Sequence, residues 1–227
     1  MKILLSILII CGLQFANANN EEVVLTKNNH CSLQGKVTSE SMRSLKSCLA
    51  KRVVKRRGSR YPLYLVINSP GGSVYAGLQF ISYAKNIRNL QTVTIYAASM
   101  GSAIVQALPG KRHGTDNAIT MFHRAKGSFS GQFGEGELES KLKLWTRIVL
   151  GMETVNAKRI GIPLSDYKKK VVNEYWVYSH DNVKQNTLDT ISIVKCSHPL
   201  LKVVRKVRVK TMFGTINKTV SGCPILN

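Results

Sequence analysis

Tyr61-Pro62-Leu63-Tyr64-Leu65-Val66-Ile67-Asn68-Ser69-Pro70-Gly71-Gly72-Ser73-Val74 is the stretch that decides how this chain folds. The apolar and β-branched run from Tyr61 to Asn68 reads as a buried strand, and Ser69-Pro70-Gly71-Gly72 reads as the tight turn that ends it. Beyond the turn, Val74 to Ile87 carries Ala76, Phe80, Ile81 and Ala84 at helical spacing. The unit is strand, glycine turn, helix, and it recurs. Thr92 to Tyr96 is a second short strand followed by a helix, Ala97 to Leu108, rich in small residues. Ala118 to Phe122 is a third strand, ending at His123. Strands that alternate with helices predict an α/β fold with a parallel sheet and crossover helices.

Upstream of this unit, a polar stretch runs to about Cys31. Ser32 to Val37 follows as a short strand, then a helix marked by Met42, Leu45, Cys48 and Leu49, with Thr38, Ser39 or Ser41 able to cap it. Downstream, Lys126 to Gly136 is a glycine- and serine-rich loop. Glu137 to Ile160 is a long amphipathic helix stopped by Gly161-Ile162-Pro163, and Leu164 to Val172 begins another. Glu174 to Ser179 has the composition of an edge strand. The tail beyond Cys196 reads as basic strands, Leu201 to Val209 and Thr211 to Val220, with Gly214 between them.

The chain of 227 residues is 44% hydrophobic and 20% charged, enough for one domain with a sizeable core, and this composition excludes disorder as the default state. Met1-Lys2, the apolar run Ile3 to Leu13 and Ala16-Asn17-Ala18 together have the form of a cleavable secretory signal over residues 1–18. Removing it would remove Cys11 and leave Cys31, Cys48, Cys196 and Cys223. Export makes disulfides among these four expected, and three connectivities are open. None of their spacings suits a zinc site. Net charge is +21, from 33 basic and 12 acidic residues. The basic residues cluster in Lys51 to Arg60 and Lys202 to Lys210, so an anionic surface partner is one expectation.

Candidate chemistry centres on Ser99, at a strand-to-helix junction where the first free N–H groups of a helix gather partial positive charge. A serine hydroxyl needs a base to take its proton as it attacks. His123, at the carboxyl end of a strand of the same sheet, is the candidate, whereas His30, His113, His180 and His198 have no matching context. Ala98 and Gly101 keep bulk away from Ser99, and Gly71-Gly72 can present backbone N–H groups to a ligand.

Three segments in order, Ile67-Asn68-Ser69-Pro70-Gly71-Gly72-Ser73-Val74, Ala97-Ala98-Ser99-Met100-Gly101 and Met121-Phe122-His123, resemble the signature segments of the ClpP peptidases. The resemblance runs from about Leu33 to Ile191. It implies a ClpP and crotonase-type spiral of parallel βαβ units over residues 19–195, a single domain with a small basic extension at 196–227. It further implies a serine endopeptidase in which the N–H groups of Gly72 and Met100 form the oxyanion hole, and Gly71, Ser73 and Val74 bind substrate. Counting back from Leu188-Asp189, the acid of the triad falls on Glu174 where the family usually has aspartate, with Asn173 and Asp181 as alternates. Thr94-Ile95-Tyr96 stands where the family has a glycine-containing bend. Gly127 to Gln132 resembles the handle by which family rings stack.

The resemblance implies no metal or organic cofactor, a peptide or unfolded-protein substrate, and a homo-oligomeric ring. Outside the cytoplasm ATP is not at hand, so no ATPase partner is expected for a periplasmic or secreted enzyme. One rival keeps the fold but uses a lysine, Lys126 or Lys141, as the base of a Ser-Lys dyad. Another is a catalytically silent polyanion-binding module. A crotonase acting on acyl thioesters is disfavoured by the pairing of Ser99 with His123.

Overall fold

The computed structural model describes residues 21–56, 58–127, 131–134, 136–211 and 214–226. The expected signal, 1–18, lies outside the described residues, as do Ser128, Phe129 and Ser130 of the handle-like segment.

The central sheet is built from the strand-turn-helix units. β2 (His30–Gln34), β3 (Leu63–Ser69), β4 (Leu90–Ala98) and β5 (Arg112–Phe122) lie side by side and parallel, in that order. Their crossovers are α1 (Ser39–Lys55), α2 (Val74–Ala84) and α3 (Met100–Ala107). Leu33, Leu65, Ile67, Leu90 and Ala97 of the strands and Leu45, Leu49, Phe80, Ile104 and Val105 of the helices form one buried cluster. This explains why β3 reads as an almost continuous apolar run, since a parallel strand is covered on both faces. α1 starts at a capping box, with Thr38 Oγ1 accepting from Ser41 N–H at 3.1 Å and Ser41 Oγ accepting from Thr38 N–H at 2.9 Å.

The sheet departs from the sequence reading in several ways, beginning with β2, expected over Ser32 to Val37 and found at His30–Gln34. The segment expected as polar coil contains β1 (Glu22–Leu25), which pairs in parallel with β8 (Ile193–Cys196) and buries Val23 and Leu25. Ala97 and Ala98, expected in a helix, end β4, so α3 begins only at Met100. The third strand is longer than Ala118 to Phe122 and starts at Arg112. Finally, β6 (Tyr175–Tyr178) runs antiparallel to β5, so the sheet is mostly parallel rather than wholly so. β7 (Thr190–Ile191) pairs with the early part of β5.

α4 (Glu137–Ile160) and α5 (Leu164–Lys170) follow β5, separated by Gly161 in the left-handed region at φ 83°, and a short 3₁₀ turn, Val171–Asn173, leads into β6. Only the C-terminal turns of α4 are buried, through Glu153, Asn156, Ala157 and Ile160. α6 (Asp181–Lys184) and α7 (His198–Leu201) are single turns, and the tail forms an antiparallel hairpin of β9 (Val204–Thr211) and β10 (Gly214–Ser221). The second sheet face is covered from both chain ends: Val23, Leu25, Leu200 and Cys223 pack on Tyr64, Val66 and Val93. Two disulfides select one of the three connectivities. Cys31–Cys48 joins β2 to α1, and Cys196–Cys223 joins β8 to the segment after β10.

Beneath β5, the guanidinium of Arg112, 2% exposed, donates to Asp189 Oδ1, Gln106 Oε1 and Asn186 Oδ1, while Asp189 Oδ2 accepts from the Arg112 N–H at 2.8 Å. Burial alone would push the Asp189 carboxyl up, but hydrogen bonds and charge from Arg112, with Arg159 nearby, outweigh it and hold the group below the ordinary aspartate value. His113, fully buried, is held below the usual histidine value by desolvation, and its ring nitrogens contact Ser192 Oγ at 2.9 Å and Gln91 Oε1 at 2.8 Å. Among the described residues no helix is long and apolar enough to cross a membrane.

Candidate active site

Ser99 sits between the end of β4 and the first turn of α3 with φ 55° and ψ −120°. Positive φ is unfavourable for a residue with a Cβ, and this ψ lies outside even the small left-handed region open to L-residues, so the backbone is strained here. The neighbourhood holds it there. Ser99 N–H donates to Met121 O at 2.9 Å, Ser99 O accepts from Ala103 N–H at 3.1 Å, and the buried Ser102 hydroxyl bonds to both Ala97 O and Met121 O. The result is an elbow that lifts the Ser99 side chain off the sheet edge.

His123 follows the last residue of β5, and its Nε2 lies 2.7 Å from Ser99 Oγ. Both side chains are partly exposed, so a substrate can reach them while the elbow stays fixed. At 2.7 Å the hydroxyl proton can pass to the imidazole without further movement.

Gly71 and Gly72 approach the same point from β3, at φ 90° and 144°. A Cβ on Gly71 would lie 2.6 Å from Ala98 O, 2.7 Å from Ser99 Cβ and 2.8 Å from Met100 N, so only glycine lets this turn pack against the elbow. The turn is pinned by Gly71 N–H to Ser69 Oγ at 3.1 Å, Val37 N–H to Gly71 O at 2.8 Å and Ser73 N–H to Val37 O at 2.9 Å. None of these bonds uses the N–H of Gly72. The N–H of Met100, the first residue of α3, has no carbonyl to reach within its helix. The N–H groups of Gly72 and Met100, which sequence reasoning singled out, have no backbone hydrogen-bond partner among the described residues. Ser73 caps α2, its Oγ accepting from Ala76 N–H at 3.2 Å, and Val74 starts that helix.

The acid does not join them. Glu174, at φ 66°, is exposed, and its Oε2 accepts a hydrogen bond from the Trp176 indole N–H at 3.0 Å. Asp181 Oδ1 accepts from Lys184 Nζ at 3.0 Å, and Asn173 is exposed at the end of the 3₁₀ turn. Among the described residues, no side chain is hydrogen-bonded to Nδ1 of His123. The expected third contact of a triad is therefore absent among the described residues, where the Glu174 carboxylate meets the Trp176 indole instead. Of the lysines considered as alternative bases, Lys141 is committed elsewhere, paired with Glu137 Oε1 at 2.7 Å and lying 4.3 Å from the Phe133 ring centroid. Lys126 is exposed in the loop after His123.

Two residues that sequence reasoning passed over lie beside the site: Tyr96 and Trp176, whose ring centroids are 6.5 Å apart. Tyr96 drew notice only as the end of a short strand and as part of a segment departing from the family, and Trp176 only as strand composition.

A mostly parallel α/β sheet that presents a serine on a strained elbow, with a histidine in proton-transfer reach, has the architecture of a serine hydrolase. The comparison with protein families narrows this class. The model of the Clp protease family matches residues 16–194, and the chain belongs to that family, whose members are serine-type peptidases.

Proposed function

We propose that this protein is a serine endopeptidase that works outside the cytoplasm on peptides or unfolded segments, without an ATPase. The observation that carries the reading is the 2.7 Å contact of Ser99 Oγ with His123 Nε2 on a backbone elbow. Ser99 attacks the peptide carbonyl as His123 takes its proton. The carbonyl oxygen, now negative, is met by the N–H groups of Gly72 and Met100. His123 returns the proton to the leaving amine, and water, activated by the same imidazole, hydrolyses the ester. Gly71, Ser73 and Val74 border the acyl side of the substrate. Glu174 completes a triad only by leaving the Trp176 indole.

Two further parts of the proposal have separate support. Exposed Leu138, Leu142 and Leu144 on the projecting turns of α4, at 42%, 47% and 60%, offer apolar surface for a homo-oligomer of the kind Clp peptidases form. Export is supported by the form of residues 1–18 and by the two disulfides, which an oxidising compartment sustains.

The direct test is labelling of the purified protein with a fluorophosphonate, which reacts only with an activated serine. Labelling of the natural sequence but not of Ser99→Ala or His123→Ala is the expected result. Labelling that survives in His123→Ala but is lost in Lys126→Ala would replace the histidine with the lysine dyad.

A further inference from the structure

Tyr96, Trp176 and Tyr178 form an aromatic shelf on one face of the sheet. Cross-strand register places Tyr96 of β4 opposite Ile119 of β5, and Ile119 opposite Tyr178 of β6; Ala98, Met121 and Trp176 form the next row. Alternate residues of a strand share a face. Phe122 packs against Tyr167 and Tyr175 on the helix side, so Ile119 and Met121 point to the opposite face, and His123 continues that alternation. Trp176 and Tyr178 keep 51% and 55% of their surface exposed, and Tyr96 is partly exposed. The polar ends of Trp176 and Tyr178 are already spoken for. The Trp176 indole donates to Glu174, and the Tyr178 hydroxyl donates to Asn117 Oδ1 at 2.7 Å. These two rings are thereby held in place with their apolar faces toward solvent.

Position relative to the reacting atoms says what this surface is for. Gly72 lies on the β3 side of Ser99, Met100 follows Ser99 at the start of α3, and His123 comes from the β5 side. The imidazole must hand its proton to the departing amine, so the residues that follow the scissile bond lie beyond His123, over β5 and β6. Standard sheet spacings put Trp176 about 8 Å from His123 along the backbone, within two residues of an extended peptide. We infer that the Tyr96–Trp176–Tyr178 shelf binds an apolar side chain of the substrate on the leaving-group side of the cleaved bond, making this a peptidase selective for aromatic or long aliphatic residues there. The inference rests on the peptidase reading above, and the occupant is argued from the continuity of the shelf with the Ser99–His123 pair.

The test uses the full purified chain and two internally quenched peptides, identical except for Phe or Ser immediately after the cleaved bond, with the cleavage point checked by mass spectrometry. The expected result is a kcat/KM ratio of about tenfold in favour of Phe, the scale of one apolar contact in a specificity pocket. In Trp176→Ala and in Tyr96→Ala the ratio falls to within about twofold. A ratio is read because removing the indole also frees Glu174, and any effect on the chemical step cancels between the two peptides. Tyr61→Ala, at a tyrosine 79% exposed away from the site, retains the tenfold ratio. Equal cleavage of both peptides by the natural sequence, or a preference that survives both shelf substitutions, overturns the inference. So does a change of oligomer size in the shelf variants with the ratio intact, which would make the shelf a contact with a second copy. Absence of fluorophosphonate labelling at Ser99 in the natural sequence overturns the peptidase reading and this inference together, whereas labelling with an unaltered ratio overturns this one alone.

Discussion

Ser99→Gly should fold more stably than Ser99→Ala, reversing the usual order of these two residues. Both substitutions remove the hydroxyl and its contact with His123, so their difference isolates the backbone. At φ 55° and ψ −120°, a residue with a Cβ bears a strain of about 1–3 kcal/mol, which alanine retains and glycine relieves. Glycine loses about 0.4–1 kcal/mol in return, because its unfolded chain is freer. The balance favours glycine by about 1 kcal/mol, which for a chain of this size is a rise in Tm of about 2–4 °C. Thermal and urea unfolding of the two inactive variants, with disulfides intact, measures the difference without interference from self-cleavage. Glycine equal to or less stable than alanine would mean that the elbow is not strained, and the account of how Ser99 is presented would fail.

Gly71→Ala should lose fluorophosphonate labelling and about 2–4 kcal/mol of stability, because its methyl group would press on Ala98 O, Ser99 Cβ and Met100 N in a backbone conformation that alanine resists. Denaturant midpoints and labelling, read together, check this. Stability should also fall on acidification in two windows. Neutral His113 is favoured in the fold, so its contribution is complete above its ordinary value of 6.5 and declines below it, as the buried ring is forced to charge. Ionised Asp189 is likewise favoured, so its contribution is complete above its ordinary 3.8 and is lost as pH falls through its lower folded value. Asp189→Asn should reduce the second decline and, by leaving buried Arg112 without its counter-charge, cost about 3 kcal/mol at neutral pH, measured by urea titration across pH. Replacing Cys31 and Cys48 together by serine opens a loop of sequence separation 17 and should cost about 3 kcal/mol, seen as a lower urea midpoint in non-reducing buffer.

Local pattern carried much of this protein. A continuous apolar run ended by Ser69-Pro70-Gly71-Gly72 could only be a covered strand entering a tight turn, and the amphipathic stretch from Glu137 to Ile160 matches α4 residue for residue. Three ordered segments resembling the ClpP signature also marked Ser99 and His123, which stand where β4 and β5 end. What stayed hidden depends on partners distant along the chain. β1 is four residues whose extended form is stabilised by β8 and by a core formed with Leu200 and Cys223. Arg112 is a lone cation in sequence and a buried ion-pair centre only once Asp189 folds beneath it. The cysteines allowed three pairings until the fold brought Cys31 to Cys48 and Cys196 to Cys223. The φ of Ser99 and the turn of Glu174 toward Trp176 rather than His123 are likewise tertiary. A residue's own chemistry says what it can donate or accept, but strain at one backbone position and the choice between two hydrogen-bond partners are settled by the packing of everything around it.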